Sequence, residues 1–381
     1  MDLMRAYPSV DDLRAKAKRR IPKFAFDYLD GGAGDESGMT RNRDALHEIK
    51  LMPNYLETRG EPDLSVEIFG HTYDLPFGIA PIGLGGLIWP LAAEYLAQEA
   101  VKTGAAFCLS TVASSSVETI GPMAGEMSWF QLYPIRRPEQ EEDLLKRAWD
   151  AGFKVLAVTV DIPGPGRRIR DFKNGLTIPP SMTLRNILSM ASCPAWGLSM
   201  LASGGAPRFQ NLEKYFPKDA TFNSVGAMIQ DIGQGVIDYK RLEKYRAQWK
   251  GPIVLKGVLS TSDAKRCLDT GMNGLMVSNH GGRQLDALPS PIDVMPALRD
   301  AVGPDFALIV DSGLRTGTDI IKAYAAGADF VFLGRAFMYA VAALGQKGCT
   351  HVTDLLKTEI ISAMVQLGLG RPKDAPSAIS K

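Results

Sequence analysis

The run Ser278-Asn279-His280-Gly281-Gly282-Arg283-Gln284-Leu285-Asp286 sets a base, a cation and two adjacent glycines side by side. His280 is the residue type whose charge changes near neutral pH, so it suits proton abstraction. Arg283 offers a planar, permanently charged fork that matches a carboxylate. Gly281 and Gly282 permit a tight turn and let a flat ligand approach the backbone. The run follows Gly274-Leu275-Met276-Val277, which reads as a buried strand. Its chemistry therefore sits just past a strand end. Taken alone, such a His-Gly-Gly is as readily an ordinary polar loop, so the rest of the chain must decide.

From residue 75 onward the chain alternates. Apolar runs of strand length are Phe77–Ile82, Ala106–Ser110, Ser128–Leu132, Val155–Val160, Ile253–Lys256, Leu275–Val277, Ala307–Val310 and Phe330–Leu333. Helical stretches such as Glu94–Thr103, Glu139–Ala151, Thr261–Thr270 and Thr316–Ala326 lie between them. Continuous apolar strands alternating with helices imply a parallel sheet covered outside. Eight such units predict the α/β class and a (β/α)8 TIM barrel. In that fold the chemistry gathers at the C-terminal ends of the strands. Those ends here read Pro81-Ile82-Gly83, Ser110, Gln131 with Tyr133, Thr159 with Asp161, Lys256, Ser278 with His280, Asp311, and Gly334-Arg335. The last two, Asp311-Ser312-Gly313-Leu314-Arg315 and Gly334-Arg335, occupy the place where barrels dock phosphate. A phosphate there, with hydrogen-bonding groups at the other ends, suits an extended, flat cofactor. Lys256 has three readings: Schiff-base nucleophile, ion pair or cofactor partner.

Residues 1–75 read as a helical N-terminal extension. Ser9 caps a basic helix that ends near Arg20, and Pro22 opens a second helix that closes at Gly31-Gly32 and carries Tyr28. A long insertion follows the fourth strand, with residues of about 175–230 forming a lid or membrane-contact segment within one barrel domain spanning 1–381. Its stretch 181–206 is rich in Met, Leu, Ser, Gly and Pro. It reads as an active-site lid, a subunit contact or a peripheral membrane foot. Forty-three basic against 42 acidic residues leave a net charge of +1, so no nucleic-acid partner is expected. The cysteines Cys108, Cys193, Cys267 and Cys349 have no ligand or redox spacing, and only four histidines are present, so no metal site is expected. Met1 to Arg20 is charged rather than apolar, and the expected location is cytoplasmic.

The chain resembles the FMN-dependent L-2-hydroxy acid oxidase and dehydrogenase family from about Tyr7 to about Gly368. Its most specific match is the run Ser278–Asp286. Supporting matches are Phe26-Asp27-Tyr28, Gly31-Gly32-Ala33, Trp129-Phe130-Gln131-Leu132-Tyr133, Thr159-Val160-Asp161, Gly166-Arg167-Arg168 and Asp311-Ser312-Gly313. The resemblance implies His280 as catalytic base with Asp161 holding its ring. Arg283, Arg168 and Tyr28 would bind the substrate carboxylate, and Tyr133 would lie near the substrate hydroxyl. It implies FMN against Pro81, Ile82, Gly83, Ser110, Gln131, Thr159, Lys256 and Ser278, with Asp311, Gly313, Arg315, Gly334 and Arg335 at its ribityl and phosphate end. A homotetramer is implied too.

Pro81-Ile82-Gly83 departs from the oxidases' Pro-Thr-Ala, and the segment around Ser192-Cys193-Pro194-Ala195-Trp196 resembles the lactate and mandelate dehydrogenases, where it mediates membrane association. Both lean toward passing electrons to a quinone or other carrier, with peripheral contact on the inner face of the cell membrane. The alternatives are an oxidase that uses O2 and releases H2O2 and, more remotely, a non-redox flavin isomerase. Val112 stands where glycolate oxidase has a bulky aromatic, leaving room for a larger substrate side chain.

Overall fold

Eight short strands, nearly every residue of them buried, close into a parallel barrel: β1 (Phe77–Ile79), β2 (Ala106–Ser110), β3 (Ser128–Leu132), β4 (Val155–Thr159), β5 (Ile253–Lys256), β6 (Gly274–Val277), β7 (Ala307–Val310) and β8 (Phe330–Leu333). Neighbours pair in chain order, and β8 pairs back to β1. The computed structural model describes residues 2–56, 60–176, 183–216 and 237–379. The predicted barrel is therefore the observed one, with one strand shortened. β1 stops at Ile79, because Pro81 has no N–H to continue the ladder. Pro81, Ile82 and Gly83 consequently belong to the loop above it.

Side chains alternate between the helical jacket and the barrel interior. Inside lie Ala80, Ala106, Cys108, Trp129, Val155, Ala157, Val254, Met276, Ile309, Phe330 and Phe332. Large and small residues face one another there: a Cβ at Gly78 would stand 2.5 Å from a ring carbon of Phe332 and 2.9 Å from Ala106 Cβ. An antiparallel ribbon, Val66–Ile68 with His71–Tyr73, closes the N-terminal mouth, and Trp129 Nε1 donates to the Tyr73 hydroxyl at 2.8 Å. The same alternation sends Ser110, Gln131, Thr159, Lys256, Ser278 and Asp311 inward at the opposite end.

The N-terminal extension supplies α1 (Val10–Arg20), capped by Ser9, then α2 (Lys23–Asp30) and α3 (Ser37–Glu48). α2 ends as expected, but Gly31 continues in extended conformation rather than as a left-handed cap. A Cβ there would lie 2.7 Å from the Asp27 carbonyl, so space, not backbone sign, calls for glycine. Asp30 accepts from Arg14 Nη2 at 2.9 Å, from Arg170 Nη1 at 2.8 Å and from the Tyr339 hydroxyl at 2.7 Å. Burial works to raise the Asp30 carboxyl, but Arg14, Tyr339 and Arg170 together hold it well below the usual carboxylate range. This one residue joins α1, the segment after β4 and the helix after β8.

The insertion after β4 contributes α4 (Leu184–Ala191) and α5 (Pro194–Ala202). They lean on α2: the Trp196 ring meets Phe24 edge-on at 5.9 Å, and Lys23 N donates to Ser189 Oγ at 2.8 Å. Their outer face leaves Leu184, Leu198 and Leu201 exposed by 73%, 68% and 75%. Parts of the expected insertion, residues 177–182 and 217–230, lie outside the described residues. Among the described residues no helix is long and apolar enough to cross a membrane.

Because the interior at Gly78 is already full, Gly78→Ala should lower stability by about 1–3 kcal/mol through overpacking. Urea unfolding followed by far-UV circular dichroism measures the difference.

Candidate active site

The Ser278–Asp286 run leaves β6 and turns at once through three left-handed residues, His280 (φ +58°), Gly281 (φ +68°) and Gly282 (φ +72°). A left-handed conformation costs a non-glycine residue about 1–2 kcal/mol, so His280 is held there by its surroundings. Gly281 N donates to Ser312 Oγ at 2.9 Å, and Gly282 O accepts from Ala33 N at 2.8 Å. Asn279 and Asn42 of α3 exchange amide hydrogen bonds at 2.9 and 2.6 Å. Asp286 accepts from Gly38 N at 2.7 Å and from Ser37 Oγ at 2.9 Å, fastening the loop's far end to the start of α3.

The turn presents His280 to a cavity of about 440 Å³ at the C-terminal end of the barrel. Its Nδ1 stands 3.1 Å from Asp161 Oδ1, and its Nε2 stands 3.3 Å from the Tyr133 hydroxyl. Burial acts to raise the Asp161 carboxyl, but the charge and hydrogen bond of His280, with Lys256 behind, hold it below its ordinary value. Burial pushes the Tyr133 phenol well up, so it stays a neutral hydroxyl.

Two arginines face the same space. The guanidinium groups of Arg283 and Arg168 lie 4.9 and 5.6 Å from the centre of the Tyr28 ring, and the Tyr28 hydroxyl donates to Gly83 O at 3.1 Å. Arg168 pairs with Asp171 at 3.1 Å. Arg283 Nη1 donates to the carbonyls of Tyr28 and Gly31 at 2.6 and 2.9 Å. Burial and the nearby charge of Arg168 lower the Arg283 guanidinium. A second pair repeats this pattern. Arg335 donates to the carbonyls of Leu29, Gly281 and Gly31 at 3.1, 2.8 and 2.8 Å. Burial and Arg315 push it down to about 9. Neither Arg315 nor Arg335 has a carboxylate partner among the described residues. Buried cations that repel each other make a site for an anion.

Lys256 is decided by its contacts. Its Nζ donates to Asp311 Oδ2 at 2.6 Å and to Ser278 Oγ at 2.7 Å. Burial works to lower it, yet Asp311 and Asp161 raise it above 10.5. A Schiff-base nucleophile requires a neutral amine, so Lys256 is a fixed cation in an ion pair.

Residues 17–381 match the family of FMN-dependent dehydrogenases. The chain belongs to that family. It is 38% identical to an L-lactate dehydrogenase of Xanthobacter autotrophicus over 360 residues, covering 94% of this chain and 92% of that one. It is 37% identical to an L-lactate dehydrogenase of Yersinia pestis over 363 residues, 95% of each. Among solved structures, the monotopic membrane protein (S)-mandelate dehydrogenase superposes with a TM-score of 0.91 at 34% identity and 98% coverage of both chains. A mandelate oxidase does so at 0.82 and 32%, again over 98% of both. This member is an FMN-dependent 2-hydroxy acid oxidoreductase.

FMN fits the residues present. The under-neutralised Arg315–Arg335 pair suits its phosphate, and the Lys256 cation suits the side of the ring that gains negative charge. Of the residues expected at the site, Tyr28, Pro81, Ile82, Gly83, Tyr133, Arg168, Lys256, His280, Arg283, Asp311, Gly313, Arg315, Gly334 and Arg335 all line the cavity. Ser110, Gln131, Thr159 and Ser278 do not. They are buried at the cavity floor, where Ser110 Oγ donates to Gln131 Oε1 and Gln131 Nε2 to Thr159 Oγ1, each at 2.8 Å. Asp161 stands behind His280 rather than in the cavity wall. Asp311 is already committed, accepting from Lys256 and, through Oδ1, from Ser312 Oγ at 2.8 Å.

The sequence reading gave no role to Asn42, Asp171, Ile162 or Gln284. Ile162 and Gln284 line the cavity, and the Gln284 Oε1 is buried without a partner among the described residues. Asn42 carried a signal: it interrupts the buried face of α3 formed by Gly38, Ala45 and Leu46. A polar residue on an apolar helix face asks for a specific partner.

The Asp161 shift predicts a pH dependence. Its folded value lies below the ordinary 3.8, so its stabilising contribution is complete above 3.8 and is lost as pH falls through the folded value. Asp161→Asn mimics the protonated state. The urea midpoint of the parent should exceed that of Asp161→Asn at pH 6, and the gap should shrink as pH drops below about 4.

Proposed function

We propose that the protein oxidises an L-2-hydroxy acid of lactate or mandelate type to the 2-oxo acid and passes the electrons to a quinone or another carrier. One observation carries the substrate class: two half-buried arginines, Arg283 and Arg168, close enough for the charge of Arg168 to lower Arg283, face the His280–Asp161 couple across a small cavity. An anion with a hydroxyl beside its carboxylate answers both groups. Arg283 and Arg168 hold the carboxylate, and the Tyr28 hydroxyl turns from the Gly83 carbonyl to add a donor. Two-point fixation sets the substrate's Cα–H and hydroxyl relative to the cofactor and to His280, which removes orientational freedom before reaction. His280 Nε2 accepts the substrate's proton, and Asp161 at Nδ1 fixes the ring's tautomer and stabilises the imidazolium that forms. Tyr133 donates its neutral hydroxyl to the substrate oxygen. Bound FMN supplies the two-electron acceptor, and the charge of Lys256 favours its reduced, anionic form. Val112, Ile162 and Ile82 give the substrate side chain an apolar wall.

Pro81-Ile82-Gly83 and the exposed apolar helices α4 and α5 support the carrier reading over direct use of O2. The relation to a mandelate oxidase keeps the O2-using alternative in play. The leucine-rich outer face of α4 and α5 supports peripheral contact with a membrane, as an amphipathic foot rather than a span. A homotetramer in a single barrel domain completes the proposal.

The deciding experiment is the anaerobic visible spectrum of the holoenzyme with a series of L-2-hydroxy acids, followed by admission of air. Bleaching names the substrate, and slow recovery in air supports a carrier; rapid recovery would assign an oxidase. His280→Ala should keep its flavin spectrum while the bleaching rate falls by about 10²–10⁴-fold. Bleaching near the parent rate would remove His280 from proton transfer.

Replacing Leu184, Leu198 and Leu201 together by Ser should abolish co-flotation with phospholipid vesicles while leaving the flavin spectrum unchanged. Unchanged flotation would exclude α4 and α5 as the membrane contact.

A further inference from the structure

A closed ring of hydrogen bonds joins the His280 turn to the cation at the cavity floor. Lys256 Nζ donates to Ser278 Oγ at 2.7 Å and to Asp311 Oδ2 at 2.6 Å. Ser278 Oγ also accepts from His280 N at 3.0 Å. On the other side, Ser312 Oγ donates to Asp311 Oδ1 at 2.8 Å and accepts from Gly281 N at 2.9 Å. His280 and Gly281 are consecutive, so the peptide between them closes the ring. Ser312 is its strained member. Its φ is +79°, a left-handed conformation that glycine adopts freely and other residues adopt at a cost. It also lines the cavity that FMN fits. A strained non-glycine residue beside a ligand cavity asks what its side chain does there. The chemistry above gives Ser312 no role. What it has and glycine lacks is a hydroxyl, the group that can accept from an N–H and donate to a carboxylate at once.

We propose that Ser312 is a positioning residue whose hydroxyl both fixes the left-handed turn that presents His280 and sets how much of the Lys256 charge reaches the cofactor. The two effects follow from its two hydrogen bonds. Gly281 is pinned from both sides: its N–H by Ser312 and its carbonyl by Arg335 Nη1 at 2.8 Å. Without the hydroxyl the N–H side is free, and His280, itself left-handed, loses the support of the residue that follows it. The second bond acts on Asp311. That carboxylate gives one oxygen to Lys256 and the other to Ser312. The donated proton takes up part of the carboxylate's charge. Without it Asp311 cancels more of the Lys256 charge, and the reduced, anionic cofactor is less favoured. The His280 half rests on the reaction proposed above, and the Lys256 half needs only bound FMN.

The test compares Ser312→Gly and Ser312→Ala with the parent, each as holoenzyme reconstituted with FMN. Both variants remove the hydroxyl. Glycine also removes the backbone strain, so it decides the matter if the alanine variant folds poorly. Reductive titration against a reference dye reads the Lys256 half. The equilibrium constant for passing electrons from reduced dye to bound FMN should fall by about tenfold in both variants. Anaerobic bleaching by a 2-hydroxy acid reads the His280 half. It should slow by about a hundredfold, more than the lost driving force accounts for. The Kd of the 2-oxo acid should stay within about threefold of the parent, because the carbonyls of Tyr28 and Gly31 hold Arg283 independently of Ser312. A merely structural role would weaken 2-oxo acid binding and leave the dye equilibrium unmoved, and that result would overturn the assignment. A dye equilibrium within about twofold of the parent in Ser312→Gly, or bleaching slowed no more than that equilibrium shifts, would also overturn it. So would loss of FMN from both variants, which would place Ser312 in cofactor binding. The dye titration uses no hydroxy acid. A flavin that no 2-hydroxy acid bleaches would therefore sink the proposed reaction, while the dye equilibrium still judges the link to Lys256.

Discussion

The carbonyls at the C-terminal end of α2 carry two buried arginines, and most of the site depends on that contact. Tyr28, Leu29 and Gly31 present backbone oxygens with few partners of their own, at the negative end of a helix dipole. Arg283 and Arg335 take them. A buried guanidinium needs such acceptors if it is not to be neutralised by a carboxylate. Carbonyls satisfy hydrogen bonds without cancelling charge, so both groups remain cationic toward the cavity. The N-terminal extension is thus a working part of the barrel's open end. Asp30, between Leu29 and Gly31, holds α2 in place through Arg14, Arg170 and Tyr339.

Charge is divided unevenly across the cavity for a physical reason. Lys256 sits at the floor and has its counter-ion in Asp311, so it is stable before anything binds. Among the described residues the four arginines share one carboxylate contact, between Arg168 and Asp171. A site neutralised throughout would fold more easily and bind anions less well. The floor is made of fixed pairs and the walls are left positive, which separates the groups that build the cavity from those that wait for a ligand.

Much of this was legible in the sequence, and the limit has a clear cause. Seven of the eight strands were placed to within a residue, because strands buried on both faces read as unbroken apolar runs. The polar residue ending each run then falls at the open end of the barrel, which located Lys256, Asp161 and His280 without any coordinates. Side chains that meet across long sequence distances were not legible. Asn42 and Asn279 meet across 237 positions, and Arg335 and Gly31 across 304. Nor could the strand ends show how their own polar groups pair: Gln131 and Thr159, expected against the cofactor, also bond to each other. The early stop of β1 was legible but not read: Pro81 in the run already argued against a strand through Ile82.

The insertion poses the remaining energetic question. Fully burying a leucine is worth about 1.5–3 kcal/mol, and α4 and α5 leave several of them in water. Their inner faces are not loosely attached: Trp196 meets Phe24 of α2 and donates to the Leu87 carbonyl at 3.1 Å. Among the described residues nothing covers these leucines, and the anchoring of Trp196 fixes which face of the two helices stays outward. The same α2 that receives Trp196 carries Tyr28 at the substrate end. Phe24, which meets Trp196, and Tyr28 at the substrate end are four residues apart, so one face of one short helix carries both contacts.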